Sequence, residues 1–285
     1  MKKKIAIVLV QVLIFSSFSL AQKNTPINTM SFNIRYDNPE DGKQNWHHRK
    51  ENVVRMINFY DLDIIGMQEV LINQLDYLKQ HLGQYQTVGV GREDGKDKGE
   101  FSPIFYRKDR FEELKSGTFW LSETPEKVSK GWDASLERIA TWALVKDKIT
   151  GKKFVIMNTH FDHIGKQARI ESAKLLKQKS KVLAKDLPLI LTGDFNLVPE
   201  SEAIKTLTAQ DGKNTLVNSS NVATLSYGPD WTTCGFDNRP FPERKVIDYI
   251  FVKQYKKVIR YAVFSEMLND IFLSDHCPVF AQIEL

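Results

Sequence analysis

The chain is cut into short apolar runs that stop on polar residues, and this restricts its fold more than any other feature. Nine runs read as strands: 27–35, 62–69, 85–90, 102–107, 138–147, 152–160, 187–194, 246–252 and 258–264. Each is six to ten residues long, which suits a strand better than a helix. Helical spacing falls between them. NWHHRKENVVRMINFY places Val53, Val54, Ile57 and Tyr60 on one face, and LINQLDYLKQHL repeats Leu71, Leu75, Leu78 and Leu82. KQARIESAKLLKQKSKVLAKDL is a long amphipathic helix, and KITG between 138–147 and 152–160 marks a hairpin. Interleaved strands and helices predict α/β layers around largely buried sheets. No linker interrupts residues 22–285, which read as one domain.

Residues 1–21 read as a secretory signal peptide rather than as part of that domain. Lys2 to Lys4 form a basic start, Ile5 to Phe18 an apolar run, and Ser19 and Ala21 a small-residue cut site before Gln22. The run is short for a membrane span, and no Cys follows it to carry a lipid. The expected location is periplasmic or extracellular, with no stable membrane insertion after cleavage. Removing the three lysines takes the formal charge from +5 to +2, so a polyanion such as nucleic acid is not favoured by charge. Cys234 and Cys277 are the only cysteines and are read as unpaired, buried thiols. The chain is expected to act as a monomer.

The ends of the apolar runs carry the chemistry. TMSFN ends at Asn33, IIGMQE at Glu69, VIMNTH at His160, and LILTGD at Asp194 with Asn196 two beyond. KVID carries Asp248, and LSDH places Asp275 and His276 before a last strand, PVFAQIEL. Each case alone has a bland explanation as a turn former or a satisfied core group. Strand ends gathered at one sheet edge would instead form a cleft, where α/β layers bind ligands. Glu69, Asn33 and Asp275 offer hard oxygens suited to Mg²⁺ or Mn²⁺. Alternation along an extended chain puts Asp194 and Asn196 on one side, where they could position and deprotonate a water. His276 beside Asp248 would form a carboxylate–imidazole pair, protonated and able to stabilise phosphorane charge. His160 could donate to phosphate or to the leaving oxygen. Together these residues fit metal-assisted phosphoester hydrolysis by direct water attack.

Asn33, Glu69, His160, GDFN at 193–196, IDYI at 247–250 and SDH at 274–276 closely resemble the motifs of the endonuclease/exonuclease/phosphatase superfamily. They occur in family order from about residue 27 to 285, and NTHFDH and KGEFSPIFY resemble its secreted bacterial branch. The resemblance implies a DNase I-like four-layer α/β sandwich, with two central mainly antiparallel or mixed sheets flanked by helices. It also implies one or two divalent metals at Glu69, with Asn33 and Asp275 nearby.

Around this set, Arg138, Arg35 and Glu100 are candidates for binding the substrate or its phosphate, Glu100 as a group that reaches the cleft. Arg138 can fork onto phosphate oxygens, Arg35 lies two residues after Asn33, and Glu100 directly precedes an apolar run. Arg92 joins Arg35 and Arg138 as a cleft-side cation. His163 is read as a surface group, and Trp46, His47 and His48 as structural. Trp132 is read evenly as a stacking platform or a core-closing side chain. DNPEDG fails as an EF-hand, with Pro39 at position 3 and His48 at position 12. The Lys174, Lys177, Lys181 and Lys185 stripe is read as a solvated helix face, and Phe119, Trp120 and Leu121 as core strand. The substrate is a phosphoester: nucleic acid, inositol phosphate, phospholipid head group or phosphorylated sugar. The alternative is a non-catalytic binding or toxin-like module on the same scaffold.

Overall fold

A computed structural model describes residues 25–285, and the signal-peptide reading falls outside the described residues. The first half runs β1 (Ile27–Asn33), α1 (Trp46–Phe59), β2 (Ile64–Gln68), α2 (Ile72–His81), β3 (Tyr85–Val88), β4 (Ile104–Arg107), β5 (Phe111–Trp120), β6 (Ile139–Asp147) and β7 (Lys153–His160). The second runs α3 (Lys166–Ala184), β8 (Leu189–Asp194), α4 (Glu202–Thr208), β9 (Val217–Asn218), β10 (Ala223–Tyr227), β11 (Asp248–Lys253), β12 (Lys257–Val263), β13 (Met267–Leu268), β14 (Ile271–Phe272) and β15 (Val279–Glu284). All nine predicted strands form, as does the hairpin between β6 and β7.

The strands build two mixed sheets. One has the order β10-β12-β15-β1-β2-β4-β3, the other β5-β6-β7-β8-β11-β9. The first contains two parallel pairs, β1–β2 and β10–β12, and the second one, β7–β8, beside antiparallel neighbours. The central strands are apolar throughout because both their faces are covered. In β2, Ile64 packs between the sheets while Ile65 and Met67 pack outward under α1 and α2. In β8, Ile190 faces the other sheet while Leu189 and Leu191 face the cluster that includes α3 and α4 side chains. The result is the expected four-layer sandwich. β5, β9 and β10 are less apolar at the sheet edges, and the sequence reading did not place the last two. Cys234 and Cys277 are buried and unpaired, as expected.

At one end of the inter-sheet space the apolar packing gives way to a polar seam. Gln68 Nε2 donates to Asn158 Oδ1 at 2.7 Å, and the Thr192 hydroxyl donates to the same oxygen at 3.0 Å. Asn158 Nδ2 donates to the Met67 and Pro103 carbonyls, and Gly193 N donates to Ser31 Oγ at 3.0 Å. Gly66 is required for this close approach: a Cβ there would lie 1.9 Å from Thr192 Oγ1 and 2.6 Å from Asn158 Oδ1. Gly66→Ala is expected to cost about 2–3 kcal/mol, as overpacking in a buried seam does. Urea unfolding measures it, and a loss below about 0.5 kcal/mol would show that the sheets can move apart there.

Candidate active site

The seam ends where the strands end, and there the functional groups collect. β1 and β2 run parallel and stop together, the register pairing Asn33 with Gln68, so Glu69 follows at the same edge. β7 and β8 do likewise, pairing His160 with Asp194. β11 is antiparallel to β8 and begins opposite its end, pairing Asp248 with Asp194. Asp275 and His276 arrive from the loop before β15, which is antiparallel to β1. The chain leaves extended geometry abruptly: Arg35, Glu69 and Asn196 have φ of 56°, 60° and 51°. Such left-handed non-glycine residues cluster at functional sites because the surrounding structure holds them there.

The cleft, about 530 Å³, is lined by Arg35, Tyr36, Glu69, Glu100, Arg138, His160, Asp194, Asn196, Asp275 and His276. Leu136, His163 and Arg239 also line it. Every predicted site residue is therefore at the cleft except Asn33 and Asp248, which sit behind it and hold its members. Asn33 Nδ2 donates to Glu69 Oε1 at 2.9 Å and to Asp194 Oδ2 at 3.0 Å, while its oxygen accepts the Arg35 N–H. In this arrangement Asn33 orients two carboxylates, one of them Glu69, beside which it was expected. Asp275 also stands apart from the acidic group: its nearest cation is Arg35, at 3.9 Å. Glu69, His160 and Asp194 form the group that could hold a metal, their donor atoms all lying within 4.8 Å of one another. Two carboxylates suit a hard divalent cation such as Mg²⁺ or Mn²⁺.

Asn196 reaches the same ring nitrogen as Asp194, His160 Nε2, but by a turn of the chain rather than by strand alternation, since the strand ends at Asp194. Its backbone N–H caps Asp194 Oδ1 at 2.9 Å. Its Nδ2 donates to His160 Nε2 and to the Phe161 carbonyl, both at 3.1 Å. An amide nitrogen carries only hydrogens, so His160 Nε2 accepts and its proton sits on Nδ1. Burial, with Arg138 and Arg92 adding to it, pushes the His160 imidazole well below its usual value, so the ring is neutral. His160 Nδ1 is buried with no hydrogen-bond partner, 3.7 Å from Glu100 Oε2.

His276 has the opposite character. Its Nδ1 meets Asp248 Oδ2 at 2.9 Å and Oδ1 at 3.1 Å, and the Thr232 hydroxyl donates to Asp248 at 2.6 Å. Burial works against the charged ring, but Asp248 and Asp194 together raise it well above its usual value and keep it protonated. Burial pushes the Asp194 carboxyl up to about 7, and Asp248 adds to this while His276 and the Asn196 N–H oppose it.

Arg138 is buried at 4% exposure, with Nε on Asp162 at 3.4 Å, Nη2 on His163 Nδ1 at 3.0 Å and Nη1 without a partner. Arg35 forks onto Asp41 at 3.1 and 3.2 Å. Arg92 does not line the cleft but donates to Glu100 at 2.8 Å, fixing it. Trp132 is half-buried and lines a different hollow, beside α3. Phe119, Trp120 and Leu121 are buried, as read from the sequence.

The sequence profile described as the endonuclease/exonuclease/phosphatase family matches residues 30–276. The chain belongs to this family. Endonuclease/exonuclease/phosphatase members are phosphoester hydrolases. The family protein from Bacteroides vulgatus is 44% identical, with a TM-score of 0.88 over 92% of this chain and 99% of that one. The mannosyl-6-phosphatase of Bacteroides thetaiotaomicron VPI-5482 is 40% identical, with a TM-score of 0.85 over 91% of this chain and all of that one. More distant is the CCR4-Not exoribonuclease subunit Ccr4 of Mycosarcoma maydis, 24% identical over 61% of this chain. The chain spans 34% of that curated relative's length. Tyr36, Leu136 and Arg239 are the endonuclease/exonuclease/phosphatase cleft residues that sequence reasoning missed. Arg239 lies in the long segment between β10 and β11, which has no apolar periodicity to place it.

Proposed function

We propose that the protein is an exported, divalent-metal-dependent phosphatase that removes phosphate from a phosphorylated sugar. The observation that carries the reaction class is the meeting, in one cleft, of the His276–Asp248 ion pair with the Glu69–His160–Asp194 group. The mannosyl-6-phosphatase likeness over nearly the whole of both chains supports the sugar. The formal charge of +2 without the three N-terminal lysines favours a small phosphoester over a polyanion.

A Mg²⁺ or Mn²⁺ ion held by the Glu69 and Asp194 carboxylates would polarise the phosphoryl oxygen. Asp194 accepts the proton of the attacking water. Asn196 commits its amino group internally, which leaves its Oδ1 to orient that water. The protonated His276 stabilises charge on the phosphoryl oxygens, and Asp248 holds that ring in place. Arg138 offers its unpartnered Nη1 to the substrate. The water oxygen bonds to phosphorus as the P–O ester bond breaks, and the sugar oxygen takes up a proton from solvent in the open cleft and leaves as an alcohol.

The test is turnover of mannose 6-phosphate, p-nitrophenyl phosphate, bis-p-nitrophenyl phosphate, sphingomyelin, inositol polyphosphates, DNA and RNA by residues 22–285, with Mg²⁺, Mn²⁺ or EDTA. Sugar phosphate turnover that requires metal and disappears in Asp194→Asn and His276→Ala is the expected result. Preferential cleavage of nucleic acid would sink the sugar assignment. Export predicts a product beginning at Gln22 in the periplasm or medium, read by N-terminal sequencing; full-length protein retained in the cytoplasm would refute it.

A further inference from the structure

Three arginines line the cleft, and they are not equivalent. Arg35 is paired with Asp41 and Arg138 with Asp162, and the third cation group, His276, is paired with Asp248. Among the described residues Arg239 forms no ion pair, although it is exposed at the cleft rim.

Arg239 is nevertheless held. Its Nη1 donates to Thr233 Oγ1 at 2.9 Å, and its carbonyl accepts from Arg244 Nε at 2.9 Å. Arg244 is itself fixed by Asp237 at 2.5 Å and stacks over Phe241 and Trp231 at 4.1 and 4.5 Å. Thr233 forms a β-bridge with His276, and the Cys234 and Gly235 N–H groups both donate to the Asp275 carbonyl at 2.9 Å. The segment that carries Arg239 is thus stitched to the two residues that follow Ser274 at the site. An uncompensated guanidinium, anchored beside His276 and open to the cleft, is a place for a second negative charge.

We infer that Arg239 is a specificity-determining residue that selects the dianionic phosphomonoester over the phosphodiester. A monoester carries close to two charges at neutral pH, since its second ionisation lies near 6, whereas a diester carries one. The paired cations are already neutralised by their own carboxylates and favour either ester alike. Arg239 is the group free to answer the extra charge. This inference rests on the phosphatase reading above and adds to it the residue that enforces it.

The test compares the wild type, Arg239→Ala and Arg239→Lys on p-nitrophenyl phosphate and bis-p-nitrophenyl phosphate, with calorimetric titration of inorganic phosphate in EDTA. Arg239→Ala should lower kcat/KM for the monoester roughly 10- to 100-fold, chiefly through KM, and weaken inorganic phosphate binding by a similar factor. The diester should change less than about threefold, and Lys should restore part of the loss because it keeps the charge without the fork. Equal losses on both esters, or no loss on either with an active wild type, would overturn the inference. A wild type that prefers the diester would instead overturn the phosphatase reading. An unchanged thermal midpoint in Arg239→Lys shows that loss of fold is not the cause.

Discussion

Asp194→Asn should lower kcat roughly 10³-fold or more and, in EDTA, leave a protein more stable than the wild type. The loss follows from geometry. Asp194 is the carboxylate that Asn33 and Asn196 hold toward Glu69 and His160. An amide keeps the shape and loses the proton acceptor.

The gain in stability follows from burial. Asp194 is 1% exposed and pairs in register with Asp248, which is equally buried. Its folded pKa of about 7 is above that of the unfolded chain, so ionisation favours unfolding. The wild type should therefore lose stability as pH rises from about 4 to about 7, and Asp194→Asn should lose less over that window. One of its two contacts becomes donor against donor, which offsets part of the gain. We expect a net advantage of about 1–2 kcal/mol at pH 8, read by urea unfolding in EDTA at pH 5 and pH 8. Parallel stability curves for the two proteins would show that this carboxylate is not a source of strain.

The second large effect is expected far from the reacting groups. Arg49 on α1 is completely buried and touches no carboxylate. Its guanidinium donates to the Gln44, Ile34, Leu273 and Arg35 carbonyls at 2.5, 2.7, 2.8 and 3.3 Å. Burial lowers it to about 10, still charged at neutral pH. One side chain thereby ties the end of β1 to the loop that carries Asp275 and His276. Arg49→Met fills much of the volume and takes the guanidinium donor from the Gln44, Ile34 and Leu273 carbonyls, whereas the Arg35 carbonyl keeps Gln74 Nε2 at 3.0 Å. A loss of about 3–5 kcal/mol should result. Turnover should fall with it even below the melting range, because Arg35 and Asp275 lose their common anchor. Arg49→Lys should recover less than half, since a point donor cannot serve a fork. A loss below about 1 kcal/mol in Arg49→Met would mean that those carbonyls find other partners.

The same residues show what the sequence made legible. Asn33, Glu69, His160 and Asp194 each end an apolar run, and a buried strand can expose its polar end only at the sheet edge. Their convergence could therefore be read before any coordinates. What could not be read was their mutual geometry. Strand alternation put Asn196 beside Asp194, and the two do meet at His160 Nε2, but a left-handed turn at Asn196 that alternation does not foresee brings the amide there. Asn33 could be placed at the site from its strand end, but its two carboxylate partners could not be named, because composition does not say which end of an amide faces inward. Arg49 and Arg239 were invisible for opposite reasons. Arg49 looks like any helix-surface arginine until its carbonyl partners are known, and Arg239 lies in a segment without period. β9 and β10 escaped because a two-residue strand and an exposed edge strand leave no alternation to detect.

The polar seam between the sheets also bears on how the chain acquires its activity. Its bonds join residues 90 and 162 positions apart, and the Asn33–Asp194 contact closes over 161. Contacts of such separation are made late, after most of the loop-closure entropy has been lost. The reacting groups thus come together in the same docking event that completes the interior, and no folding intermediate that holds one sheet alone can hydrolyse anything. Recovery of turnover during refolding should lag the recovery of secondary structure and coincide with the final tertiary phase.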